Sequence, residues 1–231
     1  KLQITGLAML FFVGTSCRLS STEINTTVLE VTNTNQSDTV LVYLTLNGSE
    51  GYVNDVNGIF GITSSNKLQG SFYLAPNETL SYTTPAYTGI SGNISFWNPP
   101  LNCPYPAPTL YEFTLNNDST GVNAQETVDI SCVAGVTTVG SITMSGGGKW
   151  TDNSGNDSVV SIQNKSNYEN FGISGVFPYG CTNCINTDGV PDCEGHPRYE
   201  IPNVKNLCNV QRNAVNNGGT VCISYIGMAE N

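Results

Sequence analysis

The chain is poor in charge, and most of its charge is of one sign. Only 11% of its 231 residues are charged, with 8 Lys and Arg against 18 Asp and Glu, for a formal net charge of −10. So few cations leave no electrostatic footprint for a phosphate backbone, which argues against nucleic acid as a partner. Neutral or cationic partners fit better: a polysaccharide, a metal ion or another protein.

Motifs for metals, cofactors and catalysis are also scarce. His196 is the only histidine and lies in a Gly-His-Pro turn, which excludes multi-histidine zinc sites. The spacing Cys181-x-x-Cys184 is similar to a zinc or redox motif, but disulfides are the default in an exported chain. Residues 152–157 lack the closing Glu of a calcium loop, and residues 146–148 form no phosphate loop but a flexible hairpin tip. We therefore predict no metal, no cofactor and no catalytic residue.

The N-terminal apolar run is too short to span a bilayer. Residues 4–13 (ITGLAMLFFV) follow Lys1 and precede the small residues 14–16. This order is typical of a secretory signal with cleavage near Cys17. Acylation of Cys17 as a lipoprotein is the alternative, and the residues before it fit that signal poorly. We expect residues 1–17 to be a signal peptide and the mature chain to be secreted, without a membrane span.

Cysteine usage agrees with export. Seven cysteines follow the predicted signal, and five of them lie in residues 181–231. This density predicts disulfides that staple a loop-rich lobe. Because seven is odd, either Cys17 also pairs or one thiol is free or intermolecular. The disulfide candidates are Cys103, Cys132, Cys181, Cys184, Cys193, Cys208 and Cys222.

Short runs of β-branched and aromatic residues, separated by turn residues, predict an all-β fold. Spacings near ten residues favour a two-sheet antiparallel β-sandwich, with a cysteine-rich loop lobe over about residues 180–221. We expect residues 18–150 to form the sandwich core, and residues 151–231 to supply the remaining strands and the lobe of the same domain. The predicted strands are residues 27–32, 39–46, 70–74, 79–83, 93–97, 109–116, 128–131, 136–144, 159–162, 171–177 and 220–226.

Two of these strands carry acids in a pattern that resembles a known family. Residues 109–116 read TLYEFTLN and residues 128–131 read VDIS, which places Glu112 on one strand and Asp129 on the next. They resemble the TLAEF-x-LN and DIS segments of thaumatin-like proteins. The resemblance implies a thaumatin-like sandwich in which Glu112 and Asp129 line an acidic cleft associated with glucan binding and, in some members, weak glucan hydrolysis.

The resemblance extends over about residues 27–144. Residues 74–80 are similar to a turn of the family, with Asn77 at a position where glycine is usual. Asparagine is the non-glycine residue that best tolerates positive φ, so this replacement is mild. Residues 92–97, followed by Cys103, are similar to the family's tryptophan-containing strand and its following cysteine.

Catalysis is not expected, because partners of the two acids are missing. The family's third acid lies five residues after Asp129, where this chain has Ala134. The arginine expected just after the strand that ends at Trp97 is absent as well. Without these groups, the arrangement that separates the pKa values of two carboxyl groups is lost.

Sugar binding needs only fixed polar groups and aromatic faces. We predict that Glu112 and Asp129 accept hydrogen bonds from sugar hydroxyls and that Tyr111 and Tyr105 are the stacking faces, whereas Trp97 is expected in the core. The predicted function is that of an exported, non-enzymatic protein that binds polysaccharide or a cell-surface glycan, with a protein partner as a further option.

Two alternatives remain open from the sequence. One is a structural or surface-assembly glycoprotein, in which Glu112 and Asp129 bond backbone amides at a sheet edge. The other is a weak endo-β-1,3-glucanase. Asn93 lies in a predicted strand near the cleft and is the sequon least expected to carry a glycan. The eight Asn-x-Ser/Thr sequons are at Asn25, Asn35, Asn47, Asn77, Asn93, Asn117, Asn156 and Asn164.

Overall fold

A computed structural model describes residues 26–97, 108–116, 125–152, 155, 157–170, 172–179 and 209–229. Within these ranges the chain forms thirteen strands and two single-turn 3-10 helices, Ile59–Gly61 and Ala214–Asn216. No helix in the described ranges is long and apolar enough to cross a membrane. The strands are β1 Thr27–Asn33, β2 Val40–Leu46, β3 Gln69–Leu74, β4 Thr79–Thr83, β5 Gly89–Trp97, β6 Leu110–Asn116, β7 Gln125–Ser131, β8 Thr138–Ser145, β9 Thr151–Asp152, β10 Ser161–Gln163, β11 Val176–Phe177, β12 Val210–Asn213 and β13 Gly219–Met228.

The strands build two sheets that pack as a β-sandwich, as the sequence predicts. One sheet has five strands in the order β10-β8-β13-β1-β4. The other has eight, in the order β3-β2-β5-β6-β7-β12-β9, with β11 added beside β7. Pairing is antiparallel except between β1 and β13 and between β7 and β11.

Alternation along the strands explains why they pair in this way. In β1, Leu29 and Val31 are fully buried, whereas Glu30 between them is half-buried. Buried residues alternate in the same way with more exposed residues along β2. Since successive side chains point to opposite faces of a strand, each sheet buries one face and presents the other to solvent. The buried residues of both sheets form one continuous core.

Aromatic side chains join the two sheets across this core. The rings of Phe96 on β5 and Tyr225 on β13 lie 5.3 Å apart between centroids. The hydroxyl of Tyr111 on β6 reaches Thr138 Oγ1 on β8 at 3.2 Å. Tyr111 fits because Gly140 has no side chain, and a Cβ there would lie 2.5 Å from the Tyr111 hydroxyl oxygen.

A buried ion pair adds a polar link between the sheets. Arg212 Nε donates to Glu126 Oε2 at 2.6 Å, and the two side chains are 1% and 0% exposed. Glu126 Oε1 accepts from the hydroxyl of Thr27 at 2.9 Å, and Arg212 Nη2 donates to that same hydroxyl oxygen at 3.1 Å. The guanidinium also lies 4.4 Å from the ring centroid of Trp150. Strands β1, β7 and β12 therefore meet at one fully bonded charged centre.

The glycine-rich segment after β8 is anchored to this centre. Arg212 Nη1 donates to the carbonyls of Gly146 and Gly148 at 3.3 and 3.4 Å. A Cβ at Gly147 would collide with the same Arg212 nitrogen. This corrects the prediction of a flexible hairpin tip at residues 146–148, since the tip is anchored against a buried arginine.

The positions of the strands and one turn conformation were otherwise predicted in large part. Each predicted strand overlaps a strand of the structure, whereas β9 and β12 were missed because they are short. β12 lies within the predicted loop lobe, of which residues 180–208 are outside the described part. Asn77 adopts φ 60°, so the expectation of a positive φ at this turn is confirmed.

Candidate functional site

Glu112 and Asp129 lie side by side within the eight-stranded sheet. β6 and β7 are antiparallel neighbours, and their register places Glu112 directly opposite Asp129. The flanking residues Phe113 and Val128 are buried in the core, so the two carboxyl groups belong to the outer face. The structure thus brings the two predicted acids together on interior strands of the sheet.

A row of polar side chains continues from the acids across neighbouring strands. Asn93 on β5 lies opposite Glu112, and Thr45 on β2 lies opposite Asn93. The row lines an open groove of about 360 Å³. Beside it, the hydroxyls of Ser91 and Thr114 bond to each other at 2.9 Å. The groove therefore presents carboxyl, amide and hydroxyl groups on a fixed backbone.

Burial controls the protonation of the acidic pair. Loss of solvation raises the pKa of Asp129 well above its usual value, and the neighbouring charge of Glu112 and a hydrogen bond between the two carboxyl groups raise it further. The pKa of Glu112 is also raised by burial, which the hydrogen bond from Asp129 partly offsets. Of the two carboxyl groups, Asp129 is therefore the one that keeps its proton to the higher pH.

The two acids of the groove, Glu112 and Asp129, lie on interior strands of the sheet. No backbone amide of the described residues donates a hydrogen bond to either carboxyl group, and Asp129 Oδ1 is buried without a partner among them. Both strands also lie inside the sheet and not at its edge. The two acids therefore do not lie at a sheet edge, and they bond no backbone amide of the described residues.

No cation faces the pair from the strands around it. On β2, β3, β5, β6 and β7, the outward charged residues are Glu112 and Asp129 alone, because Glu126 points into the core. Ala134, at the family's third acidic position, is exposed and follows β7. The described residues that line the groove therefore include carboxyl, amide and hydroxyl groups but no cationic side chain that could bind an anion.

The predicted stacking residues are placed differently. Tyr111 is fully buried, with its ring 5.2 Å from that of Phe96 and its pKa raised by burial, so its assignment as a sugar-stacking face is wrong. Tyr105 lies outside the described residues. Trp97 is half-buried on the outer face, since its neighbour Phe96 points into the core, and the expectation that Trp97 is a core residue is wrong as well.

Two exposed tyrosines on the same face were missed. Tyr43 on β2 is 43% exposed and Tyr73 on β3 is 69% exposed. The alternation of residues 40–46 (VLVYLTL) carried the signal, because it puts Tyr43 in phase with Thr45 and out of phase with buried Val42 and Leu44. The alternation of side chains along the strand could therefore have identified Tyr43 as an outward-facing residue.

Two of the seven disulfide candidates lie in the described part of the chain. Cys132 is a buried free thiol whose pKa is raised to about 12 by burial. Cys222 is a half-buried free thiol on β13, with Thr32 Oγ1 at 3.5 Å. Neither forms the predicted disulfide in this structure. The other five candidates, which are Cys103, Cys181, Cys184, Cys193 and Cys208, lie outside the described residues.

Two sequons are placed where a glycan would be hard to accommodate. Asn164 is 1% exposed, and its side-chain nitrogen donates to the carbonyls of Thr138 and Lys165 at 2.8 and 3.1 Å. Asn93 lies in the polar row of the groove. Modification of Asn164 is incompatible with its packing in the folded chain.

Comparisons with known proteins give a limited result. No protein-family model matches the chain, and no curated protein matches it. Among solved structures, it is similar to the crystal structure of the protein elicitor MoHrip2 from Magnaporthe oryzae, with a TM-score of 0.38 and 10% sequence identity, over 86% of this chain and 98% of that chain. A similarity of this degree carries no argument about function. The resemblance to thaumatin-like proteins stays a prediction, and the sandwich fold follows from the strand pairing of the chain itself.

Proposed function

We propose that the protein is an exported, non-enzymatic carbohydrate-binding protein that takes a β-glucan-like polysaccharide in the groove beside Glu112 and Asp129. The observation that carries this proposal is the in-register acidic pair on the outer face, flanked by Asn93 and Thr45. Carboxyl, amide and hydroxyl groups held at fixed positions are the groups that recognise sugar hydroxyls.

The charge of the groove supports a neutral ligand. A sulfated or phosphorylated polymer would need cations, and the surrounding strands present none on their outer faces. Because the pKa of Asp129 is raised, the pair binds a proton more readily than two free carboxylates do, and in its protonated form it can both donate and accept hydrogen bonds. A sugar hydroxyl, which also donates and accepts, is a matched partner for such a pair.

The same geometry argues against hydrolysis. Two-carboxylate glycosidases hold their carboxyl groups about 5 Å or more apart, so that the sugar carbon or a water fits between them. Here the two groups are hydrogen-bonded to each other, which leaves no such space. The missing acid at Ala134 agrees with this argument. The local likeness to thaumatin-like proteins thus supports binding by the groove without catalysis.

The proposal is tested by binding to insoluble curdlan, cellulose and chitin and by titration calorimetry with soluble laminarin. We expect wild type to bind curdlan and laminarin. Glu112→Gln should weaken laminarin binding by about tenfold or more, because hydrogen bonds to charged groups contribute about 1.5–3 kcal/mol. The melting temperature should stay close to that of wild type.

Glu30→Gln is the matched control. Glu30 is a half-buried carboxylate on the outer face of the other sheet, where it accepts from Ser81 Oγ at 3.0 Å. It should leave glucan binding unchanged. Absence of binding by wild type to all four polysaccharides would contradict the proposal and favour a structural surface protein. Release of reducing ends from laminarin, abolished by Glu112→Gln, would instead establish a glucanase.

A further inference from the structure

Three aromatic side chains share the outer face of the eight-stranded sheet with the acidic groove. Leu41 on β2 is paired with Tyr73 on one side and with Trp97 on the other. Tyr43 lies two residues further along β2, on the same face. We call Tyr43, Tyr73 and Trp97 the aromatic platform. Exposed apolar clusters of this kind mark ligand-binding surfaces.

The neighbours of Tyr43 leave its ring uncovered. Its cross-strand partners are Ser71 on β3 and Ser95 on β5, which are too small to stack on it. A tyrosine needed only for sheet stability would pair with another large side chain. Here Tyr43 is 43% exposed between two serines, which leaves part of its ring open to a flat apolar ligand surface.

The platform and the acidic groove form one continuous surface. A second concavity of about 410 Å³ is lined by Tyr43, Gln69 and Ser71, and it shares Thr45 with the groove. The register runs from Asp129 through Glu112, Asn93 and Thr45 to Gln69. These four steps between strands, at about 4.8 Å each, span about 19 Å. That length exceeds what a single sugar ring occupies.

We propose that this surface binds an extended, unbranched and neutral polysaccharide, with the aromatic platform stacking on sugar rings beyond those held at the acidic groove. The proposal rests on the proposed function and deepens it, because it assigns a ligand of several sugar units. Pyranose rings with equatorial substituents present flat C–H faces to aromatic rings, whereas their hydroxyls reach the polar row. The absence of outward cations on β2, β3, β5, β6 and β7 excludes a polyanion as the ligand of this surface.

The test is titration calorimetry with laminaribiose and laminariheptaose. Wild type should bind the heptaose at least about tenfold more tightly than the biose, since stacking on the platform adds to binding at the groove. Tyr43→Leu, which keeps an apolar side chain but removes the ring, should weaken heptaose binding by about tenfold and leave biose binding unchanged. Tyr43→Phe should retain wild-type affinity for both. Tyr43→Leu/Tyr73→Leu should abolish the dependence on length.

Tyr87 supplies the matched control. It is 63% exposed in the turn before β5, at the opposite end of that strand from Trp97. Tyr87→Leu should bind both ligands like wild type. Equal affinity of wild type for biose and heptaose, or an affinity of Tyr43→Leu/Tyr73→Leu for the heptaose that stays about tenfold or more above its affinity for the biose, would overturn the inference while the groove still binds sugar. Failure of wild type to bind either ligand would overturn the inference together with the proposed function. Weaker binding of both ligands in Glu112→Gln, against weaker binding of the heptaose alone in Tyr43→Leu, would identify the two parts of the surface separately.

Discussion

At the scale of single residues, local burial determines which of the two acids, Glu112 or Asp129, has the higher pKa. Glu112 and Asp129 differ little in chemistry, yet Asp129 is the more deeply buried and has an oxygen with no partner among the described residues. Alternation in the sequence could predict that both acids face outward and lie on successive strands. It could not predict which of them holds the proton, because that depends on packing from neighbouring strands.

The proton on Asp129 makes stability depend on pH. Burial raises the pKa of Asp129 above its usual value of 3.8, so the folded chain retains a proton that the unfolded chain releases above about pH 4. The stabilisation is therefore complete below this pH and is lost as the pH rises through the pKa of the folded state. Asp129→Asn is neutral in both states and removes the effect.

We expect the free energy of unfolding of Asp129→Asn, relative to that of wild type, to increase between pH 4 and pH 8. The increase should be up to about 1.4 kcal/mol per pH unit between the pKa of Asp129 in the unfolded state and its pKa in the folded state. Urea unfolding at several pH values measures this difference. A difference that stays constant over the range would show that Asp129 does not hold the proton.

At the scale of elements, the buried pair of Arg212 and Glu126 fixes how the strands meet. Neither residue was identified from the sequence, because β12 was not predicted and Glu126 lies before the predicted strand of residues 128–131. In the structure the pair bonds Thr27 of β1 and the glycine-rich segment after β8. This charged centre forms only when residues 27, 126 and 212 meet in the folded chain. No local sequence pattern indicates that residues so far apart are in contact.

Arg212→Met should destabilise the fold by about 3–5 kcal/mol, because it leaves the Glu126 carboxylate buried without its partner. The measurement is the free energy of unfolding in urea. Glu126→Gln/Arg212→Met should lose less than the sum of the two single changes, since no isolated charge remains. A loss below about 1 kcal/mol in Arg212→Met would show that the pair is not a structural link.

Packing between the sheets also depends on one glycine. A Cβ at Gly140 would lie 2.5 Å from the hydroxyl oxygen of Tyr111 and 2.6 Å from the carbonyl oxygen of Ser224. Gly140→Ala should therefore destabilise the protein by about 1–3 kcal/mol, as overpacking of a core does. Gly227 on the adjacent strand has open space around its Cβ position, so Gly227→Ala is the control. Equal melting temperatures for the two variants would contradict this account of the Tyr111 pocket.

At the scale of the whole molecule, the sequence allowed the fold class to be predicted but only half of the candidate site. Period-two alternation and turn residues located most strands, and strand order then brought Glu112 and Asp129 together. The aromatic residues were misassigned because Tyr111 was chosen for its closeness in sequence to Glu112. Adjacent residues of a strand face opposite sides, so Tyr111 belongs to the core, whereas the exposed Tyr43 lies on a strand distant in sequence.

The position of β13 has a consequence for the order in which the fold can be completed. It joins two strand pairs, β10 with β8 and β1 with β4, that share no other ladder within the described part of the five-stranded sheet. During synthesis, β1 therefore lacks a neighbouring strand that emerges nearly two hundred residues after it, as the pairing of Thr27 with Gly219 shows. Until then the eight-stranded sheet has no complete five-stranded sheet to pack against. The five-stranded sheet is thus expected to form only after β13 is available, because its central ladders join residues far apart in sequence.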